Sequence, residues 1–232
     1  MNANKLSEEA IEEYKRNTLS LDDTFCFSCK MCGDCCRNRD DAIVLTGVDI
    51  FYIAKALGIS TAEVIGRYTE PHIGFSSKTP IFTLAERPDG SCSLLHNGKC
   101  SVQSMKPTVC AIFPLGRMSI PGEDGFRYFR QPITCAGRES GEKHTVREWI
   151  DSFHIQERDA ETKAWTALFT AVSLVMRQLR PDSAFQLSEH VAAVTRALYF
   201  DYPLNAPFVD SVRENAHILV AMLPEYKEPA IP

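Results

Sequence analysis

The segment from Phe25 to Cys36 reads Phe-Cys-Phe-Ser-Cys-Lys-Met-Cys-Gly-Asp-Cys-Cys and holds five of the nine cysteines of the 232-residue chain. Cys26, Cys29, Cys32 and Cys35 recur at every third position, and Cys36 adds an adjacent pair, so several sulfurs must share one small volume. A hydrophobic core has no use for thiols packed this densely, and thiolates drawn together repel one another unless a cation holds them. A soft or borderline metal supplies that charge, either zinc or the iron of an iron-sulfur cluster. The spacing Cys26-xx-Cys29-xx-Cys32-xxx-Cys36 is that of a bacterial ferredoxin run, although Arg37 stands where a proline would follow and no second run occurs downstream.

Setting Cys26 aside leaves eight cysteines: Cys29, Cys32, Cys35, Cys36, Cys92, Cys100, Cys110 and Cys135. Eight thiolates suffice for two tetrathiolate zinc sites, two four-iron clusters or one polynuclear site with bridging sulfurs. Adjacent side chains point apart in most backbone conformations, so Cys35 and Cys36 are expected to serve different metal positions. Thiols that merely fill a core would be scattered along helices. These instead lie in turns and short strands near Gly33, Gly90, Gly98, Pro107 and Pro114. His96 could add a ring nitrogen or could be a solvated turn residue. A two-residue turn at Asn97-Gly98 puts Cys92 and Cys100 on opposite faces of a hairpin, whereas a three-residue turn bulged at Gly98 puts them on one face; shared ligation requires the second. Cys26 is left as a spare redox-active thiol or a packed one.

Composition bounds the partners. With 44% hydrophobic and 24% charged residues the chain has the balance of a soluble globular protein, and 30 acidic against 25 basic side chains give a formal charge of -5. That excess argues against a broad nucleic-acid or membrane-binding surface, although Arg117, Arg127, Arg130, Arg138 and Arg147 make one region locally basic. The beginning of the chain carries no apolar signal segment, and the longest apolar run, Leu168 to Met176, is too short to span a bilayer. The reading is cytoplasmic, where an odd number of clustered cysteines fits metal better than disulfides.

The elements that must position these thiols follow from periodicity and caps. Residues 7–17 read as a short helix after Ser7, and the cysteine run as an irregular loop. A helix capped near Thr46 and stopped at Gly58 turns Val48, Phe51, Tyr52 and Leu57 inward, and Ser60 opens a second helix through Tyr68. Residues 71–79 read as a loop, and residues 80–102 as a small antiparallel meander with turns at Asp89-Gly90 and Asn97-Gly98. Residues 108–113 form a constrained turn or short helix, residues 125–130 a half-exposed strand, and Thr145 caps a helix that buries Val146, Trp149, Ile150 and Phe153. Three further helices follow: one carrying Trp165 to Leu179, one from Ser183 to Leu198, and one from Pro207 to Leu223 with Val212, Ile218, Leu219 and Met222 available for burial.

Cys29-xx-Cys32-Gly-Asp-Cys35-Cys36, then Leu45-Thr-Gly-Val-Asp-Ile50, Gly90-Ser-Cys92-Ser-Leu-Leu, Lys99-Cys100-Ser-Val and Lys106-Pro107-Thr-Val-Cys110-Ala-Ile-Phe-Pro114 occur in this order. Together these blocks, over about residues 25 to 136, resemble the bacterial cysteine-cluster family of zinc- or iron-chelating proteins. The resemblance implies Cys29, Cys32, Cys35, Cys36, Cys92, Cys100 and Cys110 as ligands, Cys135 as the eighth and Cys26 as an extra. Lys106 departs from the family's frequent arginine, Ala111 from another, and Gln103 from a common tyrosine. Some members resemble flagellin lysine N-methylases, which would add S-adenosylmethionine and a protein substrate; no Gly-rich loop between a strand and a helix marks a site for such a donor here. The expected fold is α+β, mostly α, with a loop-rich metal module and small antiparallel sheet packed on a carboxyl-terminal helical bundle. Its parts are an N-terminal helix within 1–24, the cysteine module over 25–140, the helical region over 141–224 and a flexible tail over 225–232.

Overall fold

The computed structural model describes residues 17–37, 42–118, 125–131, 135–139, 141–180, 183–223 and 226–231. The strands are β1 (Thr18–Leu19), β2 (Thr24–Cys26), β3 (Val44–Leu45), β4 (Thr69–Ile73), β5 (Pro80–Leu84), β6 (Leu95–His96), β7 (Lys99–Cys100), β8 (Leu115–Met118), β9 (Arg127–Arg130) and β10 (Lys143–Thr145). The α-helices are α1 (Gly47–Leu57), α2 (Thr61–Tyr68), α3 (Thr108–Ala111), α4 (Val146–Asp151), α5 (Asp159–Gln178), α6 (Ala184–Thr195) and α7 (Phe208–Met222). The fold is α+β and mostly α, with small antiparallel sheets toward the amino end and the longer helices toward the carboxyl end. The helix expected over residues 7–17 lies outside the described residues except for Asn17. Among the described residues no helix is long and apolar enough to cross a membrane.

The chain forms two compact units, Met1–Cys32 with Thr108–Gln156, and Gly33–Pro107 with Glu157–Pro232. In the first, sheets β1-β9-β8 and β10-β2 enclose a core of Phe25, Phe27, Ala111, Ile112, Leu115, Tyr128, Val146, Ile150 and Ile155. Trp149 on α4 and Phe153 in the turn after it are half-buried against it, and the Trp149 ring meets those of Phe25 and Phe27 edge-on. The Trp149 indole N–H donates to the Ile112 carbonyl, so the half-buried ring packs with its polar atom bonded. Thr145 caps α4 as its spacing requires: its hydroxyl accepts from the Glu148 N–H, and the Glu148 carboxylate accepts from the Thr145 N–H.

In the second unit, Thr46 and Ser60 close capping boxes with Asp49 and Glu63, and Gly58 ends α1 in the left-handed conformation. Val48 and Phe51 are buried, while Tyr52 and Leu57 are half-buried; Ile50, Ile53 and Ala54 complete the inward face. Gly47 is required by a close approach. A Cβ there would stand 2.3 Å from Trp165 Nε1 and 2.4 Å from the Leu198 carbonyl oxygen, across the hydrogen bond that joins those two groups. Leu198 belongs to a π-helical turn over Arg196–Phe200 that continues α6 and turns Tyr199 onto Phe82 of β5.

Three expectations are corrected in this unit. Residues 71–73 are not loop: β4 runs through Pro71 and pairs with β5 over Thr69↔Leu84 to Ile73↔Pro80. Sheet order β3-β5-β4 makes β4 an edge strand, where proline's missing N–H costs no ladder bond. The meander over 80–102 forms only in part: the turns at Asp89-Gly90 and Asn97-Gly98 are both present, with Glu86 bridging Cys92 and β6 pairing with β7, but β5 itself is flanked by β3 and β4. In α7, Ile218 and Met222 are exposed at 46% and 47%. The buried stripe is Phe208, Ser211, Val212, Asn215, Ala216 and Leu219, a three-four spacing that passes Ile218 and Met222 by.

Candidate metal centre

None of the nine cysteines, all of them among the described residues, forms a disulfide. The boundary between the units falls after Cys32, inside the dense run, and it divides the thiols. Cys35, Cys36, Cys92 and Cys100 belong to the second unit; Cys26, Cys29, Cys32, Cys110 and Cys135 belong to the first.

In the second unit Gly33, at φ 78°, leads into a 3-10 turn over Asp34–Cys36 closed by the Cys36 N–H to the Gly33 carbonyl. That turn brings the Cys35 and Cys36 sulfurs to 3.9 Å, so the adjacent thiols converge, contrary to the expected divergence. The tight turn, with roughly three residues per rotation, overrides the alternation of an extended chain. Cys36 then accepts at its carbonyl from the Cys92 N–H at 2.8 Å, and Arg37 bridges Ser91, so the 91–92 segment is laid beside the run. Cys100 pairs with Leu95 in the β6-β7 hairpin.

The hairpin turn has two residues, Asn97 at φ 49° and Gly98 at φ 74°. The face-alternation rule nevertheless does not separate Cys92 from Cys100, because Cys92 precedes β6. A turn closed by the Leu95 N–H to the Cys92 carbonyl intervenes and redirects the chain. Cys92 and Cys35 both lie close enough to Cys100 to push its thiol pKa up, after the larger effect of burial. The Cys35 thiol is raised as well, by its contact with the Cys36 sulfur first and by burial next. The Lys106 ammonium opposes both shifts, which places a cation beside the thiols at the position where the sequence departs from arginine. His96 is exposed and stands on the hairpin face opposite Cys100.

Two arginines that the sequence did not single out hold the backbone around Cys92 and at Lys106. Arg87 donates through Nη1 to the Leu95 carbonyl and through Nη2 to the Ser93 carbonyl at 2.8 Å, tying down the turn that carries Cys92. Arg158, 4% exposed, donates to the Lys106 carbonyl and stacks 4.0 Å over the Tyr52 ring. Neither stands in a motif, since their partners are backbone carbonyls six or more residues distant along the chain.

In the first unit, backbone and ring contacts link the segments near Cys29 and Cys135 and draw in that near Cys110. The Ser28 N–H donates to the Gly137 carbonyl, and the Gly137 N–H donates to the Cys135 sulfur at 3.4 Å. Gly137 is needed there, because a Cβ would stand 2.7 Å from the Ser28 carbonyl oxygen and 2.8 Å from the Phe27 ring. Phe27 also meets Phe113 edge-on, which draws in the short helix α3 that carries Cys110. Cys29 and Cys32 are exposed in the loop after β2, the Cys29 sulfur contacting that of Met31 at 3.7 Å. Among the described residues no three His, Cys, Asp or Glu side chains are gathered in coordinating geometry.

The donor chemistry of the second unit's pair fits a single ion. Zinc–thiolate bonds of about 2.3 Å at tetrahedral angles place neighbouring sulfurs about 3.8 Å apart. The Cys35–Cys36 separation of 3.9 Å matches that edge.

Residues 28–137 match the family model described as a putative zinc- or iron-chelating domain, CxxCxxCC. No curated protein matches the chain, and no solved structure does.

Proposed function

We propose that the chain holds metal in two separate tetrathiolate sets, one in each unit, a reading supported by the match of residues 28–137 to the CxxCxxCC model of a zinc- or iron-chelating domain. Cys35, Cys36, Cys92 and Cys100 form one set, and Cys29, Cys32, Cys110 and Cys135 the other. Cys26 lies outside both. The observation that carries this reading is the 3.9 Å separation of the Cys35 and Cys36 sulfurs, which suits two ligands of one ion. In a four-iron cubane each thiolate caps its own corner, which holds neighbouring thiolates farther apart. The reading therefore favours a mononuclear zinc-type site over a cluster.

Four thiolates leave no open position, so the bound ion supplies structure rather than Lewis acidity. The residues of this chain do the rest. Gly33 and the turn after it set the Cys35–Cys36 pair, Arg87 fixes the approach of Cys92, and Lys106 offsets negative charge as the thiols deprotonate. Binding closes loops of more than fifty residues between Cys36 and Cys92 and between Cys32 and Cys110, so loading is coupled to folding of each unit. The test is anaerobic purification followed by metal and acid-labile sulfide analysis and an absorption spectrum. The proposal expects colourless protein with two zinc ions per chain and no sulfide. Brown protein with labile sulfide, or protein carrying neither zinc nor iron, would contradict it.

A further inference from the structure

The basic residues between positions 117 and 147 divide into distinct roles. Arg117 stacks 4.1 Å over Phe126, and Arg147 pairs with Asp22 at 3.0 Å. Arg130 and Arg138 instead line a cavity of about 260 Å³ in the first unit, together with Thr24, Phe25, Cys26, Pro114 and Leu115. Each guanidinium is fixed at the wall by a backbone carbonyl, Arg130 by that of Thr24 at 2.9 Å and Arg138 by that of Gln131 at 3.2 Å. Asp23, whose carboxylate lies in the field of Arg130, already accepts from the Ser20 N–H and hydroxyl. Cys26 is exposed, and its cross-strand partner on β10 is Lys143, which places a third cation on the same sheet face.

An apolar floor with two fixed guanidinium groups at its edge is the composition of a small-molecule site, and planar guanidinium forks match carboxylate and phosphate oxygens. We propose that this cavity binds a small organic anion through a carboxylate or phosphate group held by Arg130 and Arg138, with Cys26 on the wall beside it. None of the lining residues is a proposed metal ligand, so the ninth cysteine stays a thiol in the loaded protein and reports on occupancy.

The experiment uses the full chain with its metal content measured. Cys26 is alkylated with neutral iodoacetamide at constant ionic strength, and the rate is read on its own peptide by mass spectrometry. Inorganic phosphate and citrate are the probes. Protection of Cys26 by phosphate alone assigns a phosphate-bearing ligand, and protection by citrate alone a carboxylate. The double variant Arg130→Gln, Arg138→Gln should lose the protection, each arginine accounting for about a tenfold weakening, whereas Arg127→Gln should keep it. A second measurement needs no variant: anionic iodoacetate should react faster relative to iodoacetamide at Cys26 than at a free small thiol. No protection by either anion, or a reagent ratio equal to that of the free thiol, would overturn the proposal. Unchanged metal content in the same samples separates this failure from a failure of the metal reading.

Discussion

Cys92 is placed by a side chain that no sequence motif announces. Arg87 reaches the carbonyls of Ser93 and Leu95, and its own N–H donates to the Ser91 carbonyl, so both ends of the Cys92 turn are held by one residue. Partners of this kind orient ligands without touching the ion, and their loss commonly weakens metal affinity 10- to 100-fold, on the order of 1.4 to 2.8 kcal/mol. Arg87→Ala is therefore expected to weaken zinc retention at the second unit's set by about that factor while leaving the first unit's set unchanged. A chelator competition that resolves the two ions would show it. Equal weakening of both ions, or of neither, would remove Arg87 from the account. The cysteines themselves stood out in the sequence because thiols at that density have no use in a core. The convergence of Cys35 and Cys36 was not, because it depends on Gly33 adopting φ 78° and starting a 3-10 turn, and glycine alone does not announce which conformation it takes.

At the scale of elements, local chemistry and outcome agree wherever a cap is present. Thr46, Ser60 and Thr145 each precede a helix by one residue and have an acid three positions on, and each forms the reciprocal pair of bonds. In the Glu148 box, the Thr145 N–H and hydroxyl both donate to the carboxylate and hold its pKa below the ordinary glutamate value of 4.5. A lowered carboxylate pKa gives stability that is fully present above 4.5 and is lost as the pH falls through the lowered value. Glu148→Gln should thus show a urea midpoint that declines less between about pH 6 and about pH 3.5 than that of the unaltered chain. Identical declines would mean that the carboxylate's bonds to Thr145 contribute nothing to folding. Strand pairing was less legible than helix caps. Residues 80–84 were identifiable as a strand, but whether β5 met its sequence neighbours on one side or both depended on β3 and on an edge strand disguised by Pro71.

For the whole molecule, the decisive feature is the path of the chain, which enters the second unit after Cys32, returns to the first at Thr108 and leaves it again after Gln156. The thiols are dealt out by that path, two pairs to the second unit and two to the first, with Cys26 as the ninth. Nothing in the spacing of the cysteines reveals the division, since Cys32 and Cys35 keep the same interval as the cysteines before them. It follows from long-range packing, chiefly of Phe27 against Phe113 and Gly137 in one unit and of the 91–92 segment against Cys36 in the other. Native mass spectrometry of the chain and of two paired variants tests this division most directly. The account predicts two zinc ions for the unaltered chain, one for Cys36→Ser with Cys100→Ser, and one for Cys32→Ser with Cys110→Ser. Loss of both ions from either paired variant would contradict it, because the eight thiols would then serve a single centre.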